Sequence, residues 1–255
     1  MRSIRAIAVN TFREAVRDRI LYLFVGFAVV LVVSTKLFGM LTVGDEAKIV
    51  KDIGLAAMQF FSMLIAVMMS MLLVSREVDS RTVFMILSKP VPRWHFLLGK
   101  YLGLVAIVAA NLLLVTVVLF VMVLAYTGEA DPMLFFAAAM TLLEMLVLAA
   151  FAILFAVLTK PILGSLMTLA VFLVGHLSAE LWLLTQRLPG AFTKALIAVV
   201  YYLLPNLERF NFRTEVVHDL PIPGAAVAWA VVYALAFAAV ALILADLRFR
   251  SKDLR

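Results

Sequence analysis

The residues of this sequence with the greatest capacity for chemistry are the polar side chains set inside long apolar runs. Glu144 lies near the middle of the run 134–158, and Asn111 lies inside the run 97–126. A charge placed in lipid is costly unless it is paired or neutralised. Glu144 therefore reads either as part of a substrate path or dimer interface, or as a protonated carboxyl bonded to its own helix. Asn111 reads as an interhelical hydrogen bond. His176 and Glu180 are one helical turn apart towards the outer end of the run 162–184, so they can meet as a pair. A metal held there needs a third ligand that the sequence does not name, so no metal site is assigned. Met58, Met63, Met68, Met69 and Met71 crowd one run, and thioethers bind Cu(I). Steps of five, however, turn each side chain by about 140°, so the first three do not share a face. Only Met68 and Met71 are neighbours, and flexible filling of helix contacts is the simpler role.

Nucleotide chemistry is excluded on spacing. A phosphate loop needs Gly-x-x-x-x-Gly-Lys-Ser/Thr, whose backbone amides cradle the phosphates. Gly99-Lys100 has Trp94 where the first glycine belongs and is followed by Tyr101. Gly99-x-x-x-Gly103 reads instead as a close-packing seam between helices.

One polar stretch reads as a contact surface. Residues 75–96 begin with charges, pass through a short apolar turn and break at Lys89-Pro90-Val91-Pro92. Val83, Phe84, Ile86 and Leu87 give a short helix something to press against a partner, and Glu77, Asp79 and Arg81 offer polar rim contacts. Ser80 or Thr82 can start that helix and Pro90 ends it. An ordinary charged hairpin is the plain alternative.

The elements that must position these residues are membrane helices. Of 255 residues, 65% are hydrophobic and 15% charged, against roughly 45–50% and about 25% in soluble domains. No globular fold hides that much apolar surface from water, whereas a bilayer accepts it. Six runs approach or exceed the roughly 20 residues a bilayer requires: 20–40, 54–74, 97–126, 134–158, 162–184 and 225–245. Residues 2–18 place Ile4, Ile7, Ala8, Phe12 and Ala15 on one face and Arg2, Arg13, Arg17 and Glu14 on the other, an amphipathic helix at the interface. Residues 195–204 are apolar but too short to cross, and read as a re-entrant or interfacial segment in the loop 185–224. The expected fold is thus all-α and polytopic: one transmembrane domain over 1–255 with six spans. Most Lys and Arg fall on the side of both termini, which the positive-inside bias places in the cytoplasm. The net charge of +6 then reflects membrane lipids rather than nucleic acid. There is no cysteine, hence no disulfide and no thiol nucleophile.

Several motifs together carry a family resemblance. These are Glu77-x-Asp79-x-Arg81-Thr82, Leu87-Ser88-Lys89-Pro90-Val91, Arg93 and Gly99-Lys100. Thr11-Phe-Arg-Glu-Ala-Val-Arg-Asp-Arg19, Asp52-Ile-Gly-Leu55 and Leu204-Pro-Asn-Leu-Glu-Arg-Phe-Asn211 extend the match over nearly the whole chain. The pattern resembles the permease subunit of type-2 ATP-binding-cassette (ABC) transporters, in the branch associated with maturation of multicopper enzymes or nitrous-oxide reductase. The resemblance implies a coupling helix around Glu77–Ser88, with Glu77, Asp79, Arg81, Thr82, Phe84 and Leu87 meeting the ATPase. It implies a connecting helix over 2–18, and short extracellular helices around 194–213, with Asn206, Glu208 and Arg209, that cap the exit. It also implies a homodimer of permeases in a bacterial inner membrane, joined by two copies of a separate ATPase that holds ATP and magnesium. The permease itself binds no cofactor and is not an enzyme; a periplasmic partner is a further expected contact. Two rivals remain at the level of sequence. A nucleotide-independent carrier or channel would usually place paired charges and broken helices at the midplane. A structural anchor would merely tether an ATPase.

Overall fold

The computed structural model describes residues 2–39, 46–79, 92–178, 180, 183 and 191–251; side chains at 73–79 lie outside the description. Among the described residues the secondary structure is entirely helical: α1 (Arg2–Val16), α2 (Arg19–Gly39), α3 (Glu46–Asp79), α4 (Arg93–Thr127), α5 (Met133–Leu158), α6 (Pro161–His176), α7 (Ala191–Leu203), a 3-10 turn (Leu207–Phe210), α8 (Arg213–Val217) and α9 (Gly224–Ser251).

Local chemistry sets the helix limits. Asp18 accepts a hydrogen bond from the Ile20 N–H at 2.9 Å and so starts α2. Gly128, at φ 73°, ends α4 in the left-handed conformation that glycine adopts without penalty, and its N–H donates to Leu124 O. Asp131 then accepts from the Met133 N–H at 3.0 Å and opens α5. Pro161, whose missing N–H costs nothing at a helix start, opens α6.

Among the described residues four helices are long and apolar enough to cross a membrane: α3, α4, α5 and α9. The described apolar part of α2 (Arg19–Thr35), α6 and α7 are shorter. Among the described residues the count by length and composition is therefore four where the hydropathy of the sequence suggests six, the described apolar part of α2 and the 16 residues of α6 being the shorter two. Helix α6 rises about 24 Å at 1.5 Å per residue, short of the roughly 30 Å of a hydrocarbon core.

Helices α3 and α5 form the centre. Each buries about two-thirds of its apolar window, whereas α9 buries 22%. Along α9 the buried side is a line of alanines, Ala230, Ala234, Ala238, Ala241 and Ala245, which brings it close to α5. Its other side exposes Trp229, Val232, Leu235, Val240, Ile243 and Leu247. In water such a face is a liability; against lipid tails it is the ordinary surface of a membrane helix.

The bundle has two polar ends. One carries α1, the starts of α2 and α4, and the end of α9. The opposite end carries the starts of α3, α5 and α9 and the segment 205–217. At the first end α1 lies on α4, closely enough that a Cβ on Gly103 would meet Thr11 Cβ at 2.6 Å and Ala8 O at 2.9 Å, and one on Gly99 would meet Ile7 Cβ at 2.7 Å. Glu14 on α1 faces Lys100 on α4 at 3.5 Å. The apolar face of α1 is thus covered by a neighbouring helix. At the opposite end Lys51 pairs with Asp131 at 2.5 Å, and the Arg213 guanidinium grips Asp52 through Nε at 2.6 Å and Nη2 at 3.1 Å.

Candidate functional site

Three polar side chains from three helices meet inside the apolar bundle. Glu144, near the midpoint of α5, is 1% exposed. Gln59 reaches it from α3: its amide Nε2 donates to Glu144 Oε2 at 2.8 Å and lies 2.9 Å from His176 Nε2. His176 is the last residue of α6 and stands 3.5 Å from Glu144 Oε1. Its other nitrogen, Nδ1, donates to Phe172 O at 3.0 Å. That bond leaves Nε2 of a neutral imidazole as an acceptor for Gln59. One amide group therefore donates to both the carboxylate and the imidazole, tying α3, α5 and α6 together.

A roof lies over this trio. The segment 205–217 turns back into the bundle, so Leu207 and Phe210 are fully buried against Val147, Ala230 and Ala234. Gly175, beside His176, makes room for it: a Cβ there would lie 2.8 Å from Pro205 O and 2.7 Å from Leu207 Cγ. Tyr233 on α9 holds the roof by accepting the Asn206 N–H at 2.8 Å, and the Arg209 guanidinium lies 5.0 Å above the Tyr233 ring. Glu208 accepts from the Asn211 amide at 2.8 Å. A cavity of about 20 Å³ opens between Gln59, Thr141, Asn211 and Arg213. That is room for about one water molecule beside polar groups.

The sequence-selected residues divide accordingly. Glu144 and His176 are brought together, and His176 meets Gln59 and Glu144 rather than Glu180, which is exposed. Asn111 on α4 donates to Ser62 Oγ on α3 at 3.1 Å, an interhelical bond away from the trio. Asn206, Glu208 and Arg209 sit in the roof. Met58, Met63, Met69 and Met71 are buried packing residues, with Met71 against Gly164. Among the described residues, no three His, Cys, Asp or Glu side chains gather as a metal ligand set. Glu77 and Asp79 end α3, with side chains outside the described residues, and Arg81, Thr82, Phe84 and Leu87 lie wholly outside them. Gln59 and Tyr233 were not singled out from sequence. The available signal was a glutamine in an otherwise apolar run, the same cue that marked Glu144.

Long apolar helices, a lipid-facing outer surface and a buried polar trio define a polytopic α-helical membrane protein. The chain belongs to the ABC-2 transporter family: the family model described as ABC-2 family transporter protein matches residues 5–254. It is accordingly a membrane permease of an ABC transporter, a family that works with an ABC ATPase. None of the curated proteins matches the chain.

Proposed function

We propose that this chain is the permease of a type-2 ABC exporter in a bacterial inner membrane, of the branch that serves multicopper-enzyme or nitrous-oxide-reductase maturation. It pairs as a homodimer with two copies of a separate ATPase. ATP closure of the ATPases shifts the permease between two arrangements, which carries a substrate outward or transmits force to a periplasmic partner. In this reading α2 and α6 complete six spans, both termini are cytoplasmic, and α7 with 205–217 forms the extracellular cap.

The observation that carries the reading is the family match over 5–254 combined with the direction of the helices. Helix α3 ends at Asp79 and α4 begins at Arg93 at the bundle end that holds α1. Reading Glu77 to Leu87 as the ATPase contact agrees with the Lys and Arg excess on that side of the sequence. Gly99 and Lys100 are inside α4, packed on α1, so their backbone amides are committed to the helix rather than free to cradle phosphate.

The test is complex formation. With its ABC ATPase co-expressed, Phe84→Asp and Glu77→Ala are expected to lower co-purification at least about tenfold, the equivalent of one buried contact worth about 1.4 kcal/mol. ATPase binding that survives substitution at every position from 77 to 88 would contradict the coupling assignment.

A further inference from the structure

Hydrogen-bond arithmetic at the trio leaves one proton to be placed. With Nδ1–H spent on Phe172 O, His176 Nε2 holds a lone pair, and the Gln59 amide supplies its hydrogen at 2.9 Å. The second amide hydrogen goes to Glu144 Oε2 at 2.8 Å. Glu144 Oε1 is then a fully buried oxygen with no hydrogen-bond partner among the described residues, 3.5 Å from His176 Nε2, whose lone pair already accepts from Gln59. Leaving a charged oxygen unsatisfied in an apolar interior is costly, and a proton on it removes that charge.

We propose that Gln59, Glu144 and His176 form a proton-binding site, with one exchangeable proton taken up on Glu144 Oε1 and shared with His176 Nε2 when the Gln59 amide turns away from it. Uptake takes a proton from hydronium, leaves water, and changes the charge of the trio from minus one to zero. No other bond is made or broken. The Gln59 amide suits such a site because its two ends are complementary. Its NH₂ satisfies a carboxylate and a neutral imidazole together, and after rotation its carbonyl accepts from a protonated partner. A cavity of about 20 Å³ reaches from Arg213 at the polar end as far as Gln59 and Thr141, and has room for one water next to the trio's amide.

The charges around the site are largely committed elsewhere. From α3, Lys51 and Asp52 are paired with Asp131 and Arg213. From α4, Asn111 is bonded to Ser62, and the Tyr101 hydroxyl donates to Leu146 O at 3.1 Å. From α9, Tyr233 is bonded to Asn206 and covered by Arg209. The 3-10 turn brings Glu208, which accepts from Asn211. The site stands independently of what the permease carries.

Infrared difference spectra of the full chain in lipid nanodiscs, between low and high pH, test this directly. The wild type is expected to show a protonated-carboxyl C=O band that disappears as the pH rises, and Glu144→Gln removes that band. His176→Gln keeps the band but moves its midpoint by about one pH unit or more, because the imidazole no longer shares the proton. This second reading does not require the Glu144→Gln protein to fold. A band unaffected by Glu144→Gln, or a midpoint unmoved in His176→Gln, overturns the proposal. So does stoichiometric binding of Zn²⁺ or Cu⁺ that Glu144→Gln abolishes, since the trio would then be a metal site.

Discussion

Replacing Gly103 with valine is expected to strip α1 from the bundle and leave little correctly folded protein in the membrane. The seam is closed by backbone as well as side chain. A Cβ at Gly103 falls 2.6 Å from Thr11 Cβ and 2.9 Å from Ala8 O, so neither a rotamer change nor a small tilt relieves the clash. Overpacking of this kind costs about 1–3 kcal/mol when neighbours can move, and more when they cannot. Gly99 repeats the geometry one turn earlier against Ile7. Thr11 and Ala15, fully buried on the facing side of α1, have no alternative position that keeps them covered. Thermal unfolding of the purified protein in detergent measures the effect, with Gly103→Val losing at least about 2 kcal/mol relative to wild type. Gly26→Ala is the control. A Cβ there meets nothing within 4 Å, and alanine favours the helix by up to about 1 kcal/mol. The consequence reaches function because α1 lies on the start of α4, just after the segment proposed to meet the ATPase.

The second large effect is at Gly175. Valine there places its Cβ 2.8 Å from Pro205 O, which is backbone and cannot rotate away, so the roof over Glu144 and His176 must lift. Leu207 reports it. The chain contains no cysteine, so Leu207→Cys introduces a single thiol, at a position that is 0% exposed. In the otherwise wild-type chain a water-soluble maleimide is expected to react slowly. Adding Gly175→Val shifts the open form by about 1–3 kcal/mol, which is roughly five- to a hundred-and-fiftyfold faster labelling. Equal rates with and without Gly175→Val would mean that the roof does not depend on this glycine.

The all-helical character was legible because the apolar residues come in continuous runs of about 20, the length of a membrane helix, rather than in the short alternating segments of a barrel. The seam at Gly99 and Gly103 was legible as a motif, but its partner was not, since nothing in a sequence says which helix a glycine faces. The structure supplies α1. The amphipathic pattern of residues 2–16 was plain, yet a face that can lie against lipid can equally lie against α4, and hydropathy does not separate these. Among the described residues four of the six expected spans are matched by length and composition, and the described apolar parts of α2 and α6 are shorter than the runs 20–40 and 162–184. Glu144 drew notice because a carboxylate in an apolar run demands an explanation. Its partners did not, because pairing across α3, α5 and α6 depends on helix order and rotation. The one-turn spacing of His176 and Glu180 offered a local pair, and the tertiary contact with Gln59 and Glu144 prevailed over it. The resemblance pointed to short helices around 194–213, and the apolar segment 195–204 stopped by Pro205 was plain, but neither indicated that 205–217 turns into the bundle.

The account as a whole depends on the interval between α3 and α4 lying on the cytosolic side, within reach of a nucleotide-driven partner. Because the chain has no cysteine, single thiols read topology without background. Val83→Cys and Glu129→Cys, the latter in the exposed turn between α4 and α5, are treated with a membrane-impermeant maleimide in intact cells. The account predicts labelling at position 129 at once, and at position 83 only after the cells are opened. Labelling at position 83 in intact cells, with position 129 protected, would contradict it.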